Sequence, residues 1–304
     1  MVSQLARIGA CLLLVFLFTM CGRGDKAAPD DSSELETDVE EPVNETNWNT
    51  DAGPVMVVSL GDADSVAIVL PQATDSTALS EEDSTMLRAN LTVDLFGRTG
   101  KVAARAVVSP LIRPTRAGEC WWWPPGRLRA SRSDWRVGFA SGRVNGVALD
   151  SIEAMSSADS TLLAKSIAES VAALPAATDP NFRGLPFRVR SAYTFRTDSV
   201  EGVIADVIRI VNEEANPRLE HYFAIGERPT RSEGKYRVAY SIRTAGAEEN
   251  VQTTELLSVV TIGPTRRLAA VVNVEYDEGG KLGLLERTAP GKWQFRWRSA
   301  YTGC

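Results

Sequence analysis

The chemistry open to this chain of 304 residues is narrowed first by its histidines, of which there is one, His221. A single imidazole excludes His-x-x-x-His zinc sites and multi-histidine metal centres, and any Ser–His–acid relay has to use it. Along residues 219–225, alternation puts His221 on the same side as Leu219, Phe223 and Ile225. That placement reads as a partly buried, satisfied histidine, with a general base as the alternative. No Gly-x-Ser-x-Gly elbow accompanies it, because Ser141 in 138–142 stands one position late and at an expected hairpin turn. Phosphate-loop and dinucleotide fingerprints are absent. Glu213, Glu214 and Glu220 lie near one expected loop and Asp62 and Asp64 near another. Such carboxylates suit glycoside hydrolysis only if folding brings two of them about 5 to 9 Å apart; otherwise they are solvated loop charges. Asp62-Ala-Asp64 starts like a calcium loop, but Val66 occupies the third ligand position and no glycine follows. Neither a cofactor nor a metal is expected.

Two other groups have the makings of a binding surface. Trp121-Trp122-Trp123-Pro124-Pro125 offers an aromatic platform for sugars or peptides, or else Trp121 and Trp123 share one side and pack inward. Arg188, Arg190, Arg196, Arg237, Arg243, Arg296 and Arg298 occupy the polar positions of alternating segments. In register on neighbouring strands they would make a cationic face for anionic headgroups or polysaccharide. The alternative is cross-strand pairing with Glu201, Glu275 or Glu286.

The frame for these candidates is written in period-two alternation. Residues 186–196, 235–243 and 292–301 alternate β-branched or aromatic side chains with polar ones, as half-buried strands do. Residues 203–211, 256–262 and 268–276 are apolar on both faces and read as central strands. Residues 277–280 and 289–291 read as hairpin turns. One helix is expected over about 156–174, capped by Ser156 and Asp159, carrying Leu162, Leu163, Ile167, Val171 and Leu174 at helical spacing, and stopped by Pro175. Residues 53–150 read as a β-rich unit with strands at 55–60, 65–70, 86–95, 101–109 and 134–149 and an irregular loop at 110–126. The expected fold class is α+β, mainly antiparallel: a β-rich N-terminal unit, then a unit at 151–304 with one amphipathic helix over a long-stranded antiparallel sheet.

The N-terminus carries an address. Arg7 precedes an apolar run over residues 8–20, which ends at Phe18-Thr19-Met20-Cys21. As a helix the run covers roughly 20 Å, short of the about 30 Å of a hydrocarbon core, so it reads as a secretory h-region. The cysteine directly after it resembles the lipobox of bacterial lipoproteins. That resemblance implies cleavage of residues 1–20 as a signal peptide, acylation of Cys21 and attachment to a membrane through it; Gly22 after the cysteine implies outer-membrane delivery. Residues 22–51 then carry two basic and ten acidic residues and almost no aliphatic ones, so 21–52 reads as an acidic disordered tether. Its reach is roughly 30 Å. From residue 52 onward thirty basic residues face twenty-nine acidic ones. That balance does not suggest nucleic acid as a partner.

With Cys11 leaving in the signal peptide and Cys21 taken by lipid, an exported chain keeps Cys120 and Cys304. The pair reads as a disulfide, with two free thiols as the alternative. The functional expectation is a membrane-anchored envelope lipoprotein that binds an envelope protein or an anionic or glycan ligand without catalysis. A carboxylate-dependent hydrolase and a carrier of an apolar ligand between helix and sheet are the other readings.

Overall fold

Alternating strands present two faces, and this body buries both faces of its central strands. The structure is a computed structural model describing residues 47–304 apart from 63, 74–78, 112–115, 118–119, 130–132, 176–178, 212–216, 231–233 and 277. In chain order, β1 (Met56–Ser59) and β2 (Ser65–Val69) form a hairpin, followed by α1 (Glu81–Met86). A second hairpin joins β3 (Leu91–Gly97) to β4 (Gly100–Pro110). β5 (Arg116–Ala117) and β6 (Cys120–Trp121) make a two-stranded ribbon, and β7 (Pro125–Leu128) and β8 (Val137–Ala140) follow. The strands β1-β2-β7-β4-β3-β8 close into a barrel, with Met56 of β1 opposite Phe139 of β8. Closure leaves no free edge to recruit another strand.

Asp94 pins this barrel. It is 3% exposed and accepts from the Lys101 ammonium, the Ser141 hydroxyl and the amides of Arg105 and Gly142. Arg105 sits at φ +50, in the left-handed region that non-glycine residues avoid, so the carboxylate holds a bulged backbone in place. Burial pushes the Asp94 carboxyl up, but its four donors outweigh that and bring it to about 2. The expected strand over 86–95 is corrected here. Ser80 and Asp83 form a reciprocal capping box that starts α1, so the strand begins only at Leu91.

The chain then passes through β9 (Val144–Val147), β10 (Leu149–Ser151) and α2 (Ser157–Ala172). Two antiparallel meanders follow. The first is β11 (Arg188–Arg196), β12 (Val200–Val211), β13 (Arg218–Pro229) and β14 (Arg237–Ala247), with β10 on its edge. The second is β15 (Thr253–Ile262), β16 (Arg267–Tyr276), β17 (Gly279–Ala289) and β18 (Lys292–Arg298), with β9 on its edge. Residue 150, read as a unit boundary, lies in β10, one residue past the crossing from the second sheet to the first.

The sheets face each other through Phe195, Ile204, Phe223, Ile225, Val259, Val272, Leu285 and Phe295. The other face of the second sheet, with Val260, Ile262, Val271, Leu284 and Trp297, belongs to the barrel's core. Neighbouring residues of β15 thus serve two cores, which is why 256–262 is apolar throughout. At Gly202 an added Cβ would lie 2.0 Å from the Phe195 ring, so the missing side chain is what lets the opposing ring lie flat across the strand. Glu227 of β13 clasps the sheets together, accepting from Arg287 Nε and Nη2, the Gly291 amide and Trp293 Nε1. Burial pushes its carboxyl up, and Arg287, Gly291 and Trp293 more than reverse that, leaving it lowered.

The α+β expectation is overturned: 56% of the described residues are in strands and 15% are helical, so the body is largely all-β. α2 starts at the expected Ser156 cap, but it buries only Ile167 and Val171 fully and leaves Leu162 67% exposed. It covers a patch of the first sheet around Val203, Ala205, Val207 and Tyr222. Sheet against sheet and sheet against barrel supply the rest of the core. The last residues of the segment read as a tether belong to the folded body, and its residues 21–46 lie outside the described residues. Trp48 is buried and packs edge-on to Trp297 with centroids 4.7 Å apart, and Asn49 caps the turn at Thr50–Ala52.

Candidate functional site

Two charged clusters lie on opposite faces of the first sheet, placed there by the parity of their positions. On β12 and β13, Arg209 stands directly opposite Glu220 on the face that α2 covers. Glu220 is fully buried and pairs with both Arg209 and Arg243, the latter at 2.7 Å. The Arg209 guanidinium also lies 4.5 Å from the Phe187 ring centroid. Glu220 is therefore neutralised from two sides rather than presented as a catalytic carboxylate.

On the face toward the second sheet, Asp206 binds Arg190 through Nε at 2.6 Å and Nη2 at 2.5 Å. His221 Nε2 lies 2.9 Å from Asp206 Oδ1, yet neither atom makes a hydrogen bond. His221 is 1% exposed. A cleft of about 280 Å³ opens beside this cluster, lined by Arg98, Arg190, Asp206, Thr254, Glu255 and Glu275 among others. Arg98 reaches Glu255 at 2.8 Å and stacks over Tyr193 at 4.7 Å. Among the described residues no serine or cysteine side chain is hydrogen-bonded to Nε2 of His221. The pair is chemically a positioned imidazole–carboxylate couple without an attached nucleophile.

The remaining candidates are distributed as follows. Glu213 and Glu214 lie outside the described residues. Asp64 pairs with Arg127 at 2.5 Å, and Asp62 is exposed in the turn between β1 and β2. Among the described residues no group of three or more His, Cys, Asp or Glu could hold a metal ion. Cys21 lies outside the described residues, while Cys120 and Cys304 are joined in a disulfide. Trp121 exchanges two backbone hydrogen bonds with Gly303, at 3.1 and 3.0 Å. Trp121 and Trp123 are buried edge-on to each other and Trp122 alone is exposed. The Trp-rich loop therefore anchors the C-terminus and shows one ring, not a three-ring platform.

The seven arginines do not share a face. Arg190 points toward the second sheet and Arg243 toward the α2 side. Arg196 pairs with Glu201 at the end of β11, Arg188 and Arg237 are exposed at strand starts, and Arg296 and Arg298 belong to β18 of the other sheet. Burial pushes the Arg298 guanidinium down, against the Phe295 ring at 4.0 Å. Asp206 and Arg209 went unnoticed in the sequence, and the available signal was their intrusion into an otherwise apolar strand.

Comparison with protein-family models, with curated proteins and with solved structures gives no match to this chain.

Proposed function

We propose that this chain is an exported, lipid-anchored binding module of a bacterial envelope, tethered through Cys21 and without catalysis of its own. The observation that carries the reading is the h-region ending at Cys21, followed by an acidic stretch almost without aliphatic side chains. Diacylation or triacylation supplies the two or more membrane signals that stable anchoring needs. Among the described residues no helix is long and apolar enough to cross a membrane. The body suits an oxidising compartment, because its two remaining thiols are spent on one disulfide. Its buried carboxylates Asp94, Glu220 and Glu227 are each held by several donors, which favours binding over acid–base work. Beneath α2 the space is filled by side chains of Val203, Ala205, Val207 and Tyr222, which favours binding at the surface over carriage of an apolar ligand.

Mass spectrometry of the full native chain tests the address. The expected result is a chain starting at an acylated Cys21. An intact Met1 on a freely soluble form overturns it.

A further inference from the structure

A second cleft opens at the other end of the sheet pair and is built differently. It holds about 520 Å³ and lies between the turn joining β11 to β12, the turn joining β15 to β16, and β9. Four arginines line it, Arg196, Arg266, Arg267 and Arg287, against a single carboxylate, Asp198. Three of the four are tethered from outside the lining: Arg196 by Glu201, Arg267 by Asp51 and Asn49, and Arg287 by Glu227. A guanidinium has five N–H donors, so these pairings orient the groups without exhausting them. Arg266 has no carboxylate partner among the described residues, and it stands at φ +51.

The second observation is independent of charge. Thr261 also lines this cleft, is 6% exposed, and its Oγ1 has no hydrogen-bond partner. Buried hydroxyls are paired in nearly all folded proteins, because leaving one unmade costs stability. A buried hydroxyl without a partner lies beside four guanidinium groups, a donor set of the kind that an oxyanion takes. Forked donors arrive from three elements at a cleft with one carboxylate in its lining, an arrangement that suits a tetrahedral, multiply charged group.

We propose that this cleft binds a phosphate-bearing ligand, with Arg266 and Thr261 as direct contacts and Arg196 and Arg267 completing the cradle. This names a ligand class for the binding module above and rests on that reading's claim that the body binds; it does not depend on acylation.

The test uses the full chain in detergent, with inorganic pyrophosphate, inorganic phosphate and glycerol phosphate as separate probes. Saturable binding by calorimetry and a concentration-dependent rise in Tm are expected. Arg266→Gln should weaken the affinity roughly tenfold, the loss of one charge-assisted hydrogen bond. Thr261→Val should weaken binding several-fold while leaving the ligand-free Tm unchanged or higher, a combination that a purely structural threonine does not produce. Tighter binding of glycerol phosphate points to a headgroup-like ester, and tighter binding of pyrophosphate to a free polyphosphate; either supports the proposal. It is overturned if no probe saturates, if sodium chloride at matched ionic strength gives the same shift, or if both variants bind as the parent does. Acylation is read separately by mass, so an acylated chain that ignores all three probes sinks this inference alone.

Discussion

The two ends of the sheet pair use the same residue types to opposite effect. At the end near Thr254, Arg190 and Arg98 each meet a carboxylate within the cleft itself, Asp206 and Glu255. At the end near Thr261, the carboxylates that hold Arg196, Arg267 and Arg287 lie outside the cleft lining, and Arg266 has none. The first end sets its acids inside the cleft, although Asp206 Oδ1 and the neighbouring His221 Nε2 are buried without a hydrogen bond. The second has its paired carboxylates behind the lining, leaves Arg266 without one among the described residues, and holds a buried hydroxyl without a partner beside it. Arginine count does not separate them. What separates them is whether strand register sets the acid inside the cleft or behind it.

The comparison can be pressed at three places, in falling order of effect. Glu220 represents the fully paired condition, and Glu220→Ala leaves the buried Arg209 without the carboxylate that stands opposite it. That variant should lose about 3 to 5 kcal/mol of unfolding free energy, measured by denaturant titration; a loss below about 1 kcal/mol would show that burial here is leakier than described. Cys304→Ser removes a clamp of which neither cysteine lines the Thr261 cleft. It spans 184 residues of sequence and should cost about 2 to 5 kcal/mol, leaving pyrophosphate affinity unchanged. A parallel loss of affinity would mean that the cleft depends on the C-terminal anchor.

Acid removes the paired carboxylates last within the fold, so it tests them at the low-pH limit. The folded Asp94 carboxyl lies at about 2, below its ordinary value of 3.8. Its contribution is therefore complete above about pH 4 and is lost as pH falls toward 2, amounting to roughly 2 kcal/mol. Glu227 is shifted in the same direction, so its clasp also weakens as pH falls. Asp94→Asn should flatten that limb of the stability profile; an unchanged limb would assign acid sensitivity elsewhere.

Much of the local structure was legible before the fold was known. Strands over 186–196, 203–211, 256–262 and 268–276 follow from alternation or two-faced burial, and the structure places strands there. The Ser156 cap marks the start of α2. Pairing across distance was not legible. Nothing local says that β9 joins β15 or that β1 closes on β8, since alternation assigns a face and not a neighbour. The same blindness gathered seven arginines onto one imagined surface, when bulges and sheet membership scatter them. It also hid the cleft at Thr261, whose arginines come from the end of β11, the turn before β16, the start of β16 and β17, elements that alternation does not bring together.

The most direct measurement is backbone amide NMR of the isotopically labelled full chain, titrated with inorganic pyrophosphate. The account expects saturable shifts confined to the turn at 196–200, the segment 261–268 and neighbouring β9, with Asp206, Glu255 and their neighbours unmoved. Shifts centred on the Asp206 end, or spread evenly over exposed arginines, would contradict it.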